Sequence, residues 1–430
     1  MKIVIFAPGL RSSAIGRMTA LVGRALLEMG HEVIVVRTEE ASLLARPSHD
    51  FGTTVIDWTR RADIERHLRE ADAAVYQIGD NYPFHQGCLE WLDIYPGIVC
   101  LHDFYLGHMF FGWSQGRHDE ARAVLLELYG EGADAHFFNA SVKSTFIEDT
   151  STTMPLTEWI AHKALGVLTH SAGSIQRVLS SCAGPVAVTP LAYDASAISE
   201  GRGDSHEGTE RLEVLTVGHI NPNKRIHSVI EAIGSSGLLR EKVYYRLVGP
   251  VEPHIFFELS AVARRHGVRL RISGEVDDVA LTNAFGSADV VCCLRWPSLE
   301  AASASAIEAM LHAKAIIVTD TGFYRDIPTS AAIHVDPVNE VTGIRQALER
   351  LAADRELVAR MGAEARKWAE VTFTPSSYAI AILEMAEAVS QTTPLQKALR
   401  EFECNLGRWD STDSMRTLAA PMEALSIRER

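Results

Sequence analysis

The sequence predicts an α/β protein of two domains, each built on a doubly wound parallel sheet, with a cleft between them. Three observations lead there. The chain has 430 residues, too long for one ordinary core and about right for two of roughly 200 residues each. Short β-branched runs alternate with helical stretches, the pattern that a parallel sheet with crossover helices requires. The alternation occurs twice, and a segment of different composition separates the two series.

The first series is Lys2–Ala7, Glu32–Arg37, Ala73–Ile78, Gly97–His102 and Gly166–Ser171, closed by Val186–Leu191, and it defines a first domain over 1–195. A long, mostly helical insertion rich in aromatic and His residues lies between Phe104 and Ala164, after the fourth of these strands. Its place near a strand's C-terminal end suits an acceptor site or lid; a plain structural insertion fits equally. Asp194–Glu210 is rich in Ser, Gly, Asp and Glu, with Gly201-Arg202-Gly203-Asp204 at its centre, and we take 196–210 as the linker. The second series is Leu212–Gly218, Val243–Gly249, Leu270–Gly274, Asp289–Leu294, Ala315–Asp320 and Ala331–Val335, a second parallel sheet over 211–373. From Ser376 the pattern is helical, broken at Pro394, so 374–430 is expected to be a helical tail crossing back to the first domain.

Apolar residues make up 47% of the chain and charged residues 22%, which leaves no room for a long disordered tract. The net charge of −14 argues against nucleic acid as a partner, because a phosphate backbone demands a broad basic face. One pocket holding two or three cations can still take a diphosphate. Cys88, Cys100, Cys182, Cys292, Cys293 and Cys404 form no C-x-x-C pair, as expected of free thiols in a reducing cytosol. Met1–Ala7 reads as a strand followed by Pro-Gly, not as a leader, and no window reaches the ~18 apolar residues of a membrane span. The expectation is a cytoplasmic protein that at most touches the inner face of the membrane.

Several familiar motifs are missing. No G-x-G-x-x-G follows the first strand and no G-x-x-x-x-G-K-[ST] occurs, which removes the main support for a nicotinamide or flavin enzyme and for a P-loop NTPase. No Asp-x-Asp pair is present to hold a metal–diphosphate, and Cys and His are not spaced for zinc. No metal and no cofactor is expected.

The strongest constellation runs from Arg295 through Glu300, Ser303, Ala304 and Ser305 to Glu308, between a strand end and a helix. Residues 301–306 are all small, so the N–H groups of a helix start can approach an anion closely. Glu308 is placed to accept hydrogen bonds from ribose hydroxyls, although Ser305-x-x-Glu308 also has the form of a capping box. Glu300 precedes the helix, where a carboxylate beside a phosphate cradle suits sugar hydroxyls or a cation. A second constellation, Gly218-His219-Ile220-Asn221-Pro222-Asn223-Lys224-Arg225, opens the second domain. Gly218 permits the turn, and Lys224 points a mobile ammonium group at the same crevice, the alternative being a solvated Lys-Arg pair.

This ordered set resembles the glycosyltransferases of family 4, over most of the chain and most strongly from Arg211 to Pro328. The resemblance rests on Glu300 with Glu308, on Gly218 with Lys224, and on strands falling in the expected order. It implies the GT-B arrangement, two facing Rossmann-like domains, and a retaining transfer of a hexose-type sugar from a UDP- or GDP-sugar to a glycan or lipid-linked acceptor. Lys224 and the N–H groups around Ser303–Ser305 would stabilise the departing diphosphate. Glu300 would hold the donor sugar, Glu308 the ribose, and the backbone near Glu275 and Val276 the base. Ser13-Ala14-Ile15-Gly16-Arg17 is similar to the family's small-residue loop, with Ala14 where Gly is common and Gly16 as its contact. Val75–Asn81 and Leu101-His102-Asp103 resemble segments of members that build bacterial surface polysaccharides, and His102 would lie near the transferring sugar; the alternative is a His bonded to neighbouring backbone. His219 stands where many relatives carry Arg. Either Arg225 or Arg295 compensates, or leaving-group stabilisation is weaker and pH-sensitive. A non-catalytic nucleotide-sugar or glycan-binding subunit and a nucleotide-sugar epimerase on the same fold are the competing readings.

Overall fold

The computed structural model describes residues 1–173, 175–195 and 211–408. The expected linker 196–210 and the chain from 409 onward lie outside the described residues, as does the side chain of Cys404. The described chain forms two units. The first comprises Met1–Tyr193, Leu299–Ala301 and the chain from Pro375 onward, and the second comprises Asp194–Ser298 and Ala302–Thr374.

The first unit carries seven parallel strands: β1 (Lys2–Ala7), β2 (Glu32–Arg37), β3 (Thr54–Asp57), β4 (Ala73–Ile78), β5 (Ile98–Leu101), β6 (Gly166–Thr169) and β7 (Val186–Val188), in the order β3-β2-β1-β4-β5-β6-β7. Ile5 pairs with Val35 on one side and Val75 on the other. Helices cover both faces, so both sides of β1 are buried: Val4 and Phe6 join Tyr76 and Trp91 in one core layer, and Ile3 and Ile5 join Val22, Leu26, Tyr378 and Ile382 in the other. Two-sided burial is why this strand is a continuous apolar run. β3 is the strand the pattern does not announce, because at this sheet edge only Ile56 of its four residues is buried. The expected strands at 97–102, 166–171 and 186–191 are shorter than their apolar runs, ending at Leu101, Thr169 and Val188. The insertion therefore follows the fifth strand. Its rings are core: Phe110, Phe137 and Trp159 are buried and meet edge to face at 5.0–5.3 Å. Helix Pro375–Arg408 packs on helix Ala14–Glu28 and on β5 and β6. It runs through Pro394 instead of breaking there, and beyond that residue Gln396 is fixed by a hydrogen bond to the Leu165 carbonyl at 3.0 Å.

Leu299–Ala301, expected in the second domain, belongs with the first unit. Phe104 N and Tyr105 N donate to the Leu299 carbonyl, Ala301 N donates to the His102 carbonyl at 2.9 Å, and Asp103 and Glu300 form an antiparallel bridge.

The second unit carries β8 (Leu212–Val217), β9 (Val243–Val248), β10 (Leu270–Ile272), β11 (Val290–Cys293), β12 (Ala315–Thr319) and β13 (Ala332–Val335), all parallel, in the order β10-β9-β8-β11-β12-β13. Its core is Val214, Leu247, Cys292 and Ile317 from the sheet against Ile230, Ile233, Ile344 and Leu348 from helices. Cys88, Cys100, Cys182, Cys292 and Cys293 are buried free thiols. Among the described residues no helix is long and apolar enough to cross a membrane.

Candidate active site

In an open parallel sheet the chain leaves neighbouring strands in opposite directions at one point, and the crevice beyond the strands' C-terminal ends there is the natural ligand site. In the second sheet that point lies between β8 and β11. The two loops leaving them hold Gly218–Arg225 and Leu294–Ser303, the segments that carry most of the expected donor residues.

Gly218 has φ +99°, and a Cβ there would lie 2.9 Å from Lys224 Nζ. Only glycine leaves room for the lysine to fold onto the strand end. Lys224 ends a short 3-10 turn, Pro222–Lys224, and is 6% exposed. Its ammonium donates to the Val217 carbonyl at 2.7 Å. It is thus pinned at the end of β8, neither mobile nor part of a solvated pair, because the tight turn directs it back along the strand. Arg225 caps the next helix, Ile226–Gly234, from the left-handed region, and its Nε donates to both carboxylate oxygens of Glu340 at 3.2 and 2.9 Å. His219 is exposed.

The two loops are stitched together: Trp296 N donates to the Asn223 carbonyl at 3.0 Å, and Asn223 Nδ2 donates to the Pro297 carbonyl at 2.5 Å. Arg295 is buried, with Nη1 on the Leu294 carbonyl at 2.8 Å and Nη2 near Ser305 Oγ at 3.5 Å. Helix Ala304–Leu311 is capped by Ser303 in an extended conformation, without a side-chain cap hydrogen bond. Ser305 is the helix's second residue, so Ser305 and Glu308 do not form the capping box that their spacing allows; Ser303 occupies the cap and Ala306 the third position. Ser305 Oγ instead lies 3.3 Å from Ser303 Oγ, and Ala304 is exposed at the helix start with its orphan N–H groups. Glu308 is half-buried on the same helix. Glu275 and Val276 lie in the loop after edge strand β10, next to Gly274, whose carbonyl accepts the Gly249 N–H at 2.8 Å.

In the first unit, Gly16 sits in the first turn of helix Ala14–Glu28, where its N–H donates to the capping Ser13 Oγ at 3.1 Å. A Cβ on Gly16 would lie 2.5 Å from the Pro8 carbonyl oxygen, so the small residue is a steric requirement. His102 follows β5 and is buried, its Nε2 2.7 Å from Gln77 Oε1 and its ring 4.6 Å from that of His170. Its side chain therefore bonds another side chain, not neighbouring backbone. Burial, followed by His170 and His85, holds its pKa well below the usual imidazole value.

Sequence reasoning missed the carboxyls beside it. Asp103 Oδ2 accepts the Asp80 N–H at 2.8 Å. Burial, then the Asp80 carboxylate and further Glu300, push Asp103 up to about 7. Asp80 itself takes the Met109 N–H on Oδ1 at 2.7 Å and His108 Nδ1 on Oδ2 at 2.6 Å. Burial raises Asp80, and the bond to Asp80 raises His108. A Cβ on Gly79 would meet Asp103 Oδ2 at 3.0 Å. The available signal was that Gly79-Asp80 and His102-Asp103 each follow an apolar strand and so sit at neighbouring strand ends. Among the described residues, no three His, Cys, Asp or Glu are grouped to hold a metal ion.

Residues 198–368 match the family described as Glycosyl transferases group 1. No curated protein matches the chain. Among solved structures, a glycosyltransferase from Rickettsia africae is similar over 90% of this chain and 98% of its own, at 14% identity and a TM-score of 0.60. The sucrose-phosphate synthase of Thermosynechococcus elongatus is similar over 93% and 100%, at 14% identity and a TM-score of 0.61. HepE of Anabaena, solved in complex with UDP-glucose, is similar over 92% and 99%, at 16% identity and a TM-score of 0.56. The paired parallel sheets and these likenesses give the chain the GT-B fold, with a second unit similar to the group 1 glycosyl transferases.

Proposed function

We propose that the chain is a retaining, metal-independent glycosyltransferase of family 4 type, moving a hexose-type sugar from a UDP- or GDP-sugar to a glycan or lipid-linked acceptor in the cytoplasm, at most at the inner membrane face. The observation that carries this reading is the convergence of pinned Lys224 and the start of helix Ala304–Leu311 at the β8/β11 switch point. A cation and a row of N–H groups there suit a diphosphate. As the bond from sugar C1 to the phosphate oxygen breaks, its electron pair stays on the leaving diphosphate, and both groups favour that growing charge. The acceptor oxygen bonds to C1 on the same face, and one proton is released per transfer. Glu300 holds donor sugar hydroxyls, Glu308 the ribose and the backbone near Glu275 and Val276 the base, with Gly16 on the donor's phosphate side and His102 close to the transferring sugar.

The test is a donor panel of UDP-glucose, UDP-galactose and GDP-mannose with a mixture of glycan and lipid-linked acceptors, with and without excess EDTA. UDP-glucose comes first because HepE is found bound to it. Acceptor-dependent release of nucleoside diphosphate that persists in EDTA is expected, with a product of the donor's anomeric configuration by NMR. Nucleotide binding with no turnover would make the chain a binding subunit; an epimerised donor without acceptor would make it an epimerase.

A further inference from the structure

A nucleoside diphosphate carries more negative charge than one ammonium group offsets, so a second cation beside Lys224 would add to what the helix N-terminus supplies. His219 is exposed, and Arg295 and Arg225 are the guanidinium groups on the two loops. Arg295 is 7% exposed and spends Nη1 on the Leu294 carbonyl and Nη2 on Ser305. Arg225 is arranged in the opposite way. Its Nε is gripped by both oxygens of Glu340, its Nη1 and Nη2 have no hydrogen-bond partner among the described residues, and its side chain is 36% exposed. Glu340 is the first residue of helix Glu340–Ala353 and is 5% exposed. A buried carboxylate there is favoured by the helix N-terminus and cannot swing away. One edge of the guanidinium fork is therefore fixed and the other is open.

The backbone adds a second observation. Arg225 has φ +55°, a region where an L-residue costs roughly 1–2 kcal/mol and glycine almost nothing. A structural turn at this position is best served by glycine. The strain is maintained with a side chain whose Nη groups have no hydrogen-bond acceptor among the described residues, directly after the lysine pinned at the strand end.

We propose that Arg225 is the second diphosphate-gripping cation of the site, and that Glu340 is its positioning residue. This deepens the transferase reading and rests on it. The guanidinium offers two parallel N–H donors to phosphate oxygens, a geometry that an ammonium cannot supply.

Arg225→Gly separates this role from a structural one, because glycine suits the backbone at φ +55°. Relief of the backbone strain then offsets part of the cost of leaving Glu340 without its partner, and the Kd for UDP measured by calorimetry rises roughly 10–100-fold, the value of charge-assisted bonds to a phosphate. Glu340→Gln keeps an acceptor for Nε but removes the charge, so the Kd should rise roughly three- to tenfold. Arg225→Lys restores the charge without the fork and should recover only part of the loss. UDP, GDP and ADP are each titrated. If the native chain binds none of them, the transferase reading falls and this inference with it. If the native chain binds one and Arg225→Gly binds it equally well, the inference alone is overturned. Arg225→Gly melting lower with native affinity would likewise make the ion pair structural, and an unchanged Kd in Glu340→Gln would remove the positioning role.

Discussion

Acidification from pH 6.5 to 4 should destabilise the first unit, and the cause is three buried imidazoles. Burial holds His85 and His170 at about 4 and His102 well below its usual value. His170 donates Nδ1–H to the Thr189 carbonyl at 3.0 Å, while its Nε2 is buried without a hydrogen-bond partner, so a second proton would create an unpaired N–H in the core. Because the folded values lie below the unfolded one, the unfolded chain binds more protons between pH 4 and 6.5. The stability these residues contribute is present above pH 6.5 and is lost as the pH falls toward 4. A histidine moved from 6.5 to about 4 contributes at most about 3.4 kcal/mol across that window. Asp103 and Asp80 act in the opposite sense: their raised values make the folded chain the better proton holder above 3.8. The lowered values of the three histidines outweigh the raised ones of the two aspartates, so unfolding takes up protons in this window and stability falls on acidification. Urea unfolding followed by tryptophan fluorescence measures it, since Trp58, Trp91, Trp113 and Trp159 all lie in the first unit. The midpoint should fall from pH 6.5 to 4.5 at constant m-value, and His170→Gln should flatten the slope by about one proton. A midpoint that is flat or rises on acidification would refute the reasoning.

Three further outcomes follow from the second unit. Gly218→Ala places a methyl group 2.9 Å from the Lys224 ammonium at φ +99°, and should cost roughly 1–3 kcal/mol of stability together with a loss of kcat/KM; native kinetics would show that the lysine's position does not matter. Lys224→Ala and Lys224→Met should each lower kcat/KM by about 10²–10³-fold, partly in kcat, whereas near-normal turnover at saturating donor would remove Lys224 from the site. Glu308→Gln should weaken nucleotide binding by about 1.5–3 kcal/mol; unchanged nucleotide binding in calorimetry with only a lower melting temperature would make Glu308 a structural residue.

Both sheets are legible in the sequence because parallel strands buried on two faces must be apolar at every position, and Ile3 to Ala7 or Ala315 to Val318 are so in the structure. The same rule explains what was not legible. β3 is an edge strand with one buried residue, and apolar patterning carries no information about it. Strand ends were overrun where ordered residues continue past the ladder; Thr189 N still donates to the Thr169 carbonyl beyond the end of β7. The strand–loop–helix units that carry Gly218, Lys224 and Ser303 were legible because such a unit is local in sequence. Arg225–Glu340 and Asp80–Asp103 were not, since 115 and 23 residues separate the partners and only the topology brings them together.

Several unfavourable features of the second unit lie at the C-terminal rim of its sheet, while Ala313 at φ +55° precedes β12 at the opposite end. Gly218 at +99°, Gly249 at +141° and Arg225 at +55°, together with the buried Lys224 ammonium and Glu340 carboxylate, lie at the C-terminal ends of β8, β9 and β13, while the strands themselves pair in regular parallel register. A Cβ on Gly249 would come within 2.3 Å of the Gly218 carbonyl oxygen, so the two strand ends approach as closely as backbone allows. The left-handed backbone at Arg225 and the desolvated charges each cost of order 1 kcal/mol or more, whereas Gly218 and Gly249 adopt positive φ at little cost. An anion bound at this rim would offset the cost of burying cations there, which is the condition under which preorganised charge is worth keeping in a fold. The buried Lys224 ammonium and the left-handed backbone of Arg225 are features that a phosphate, and not a neutral sugar, would compensate.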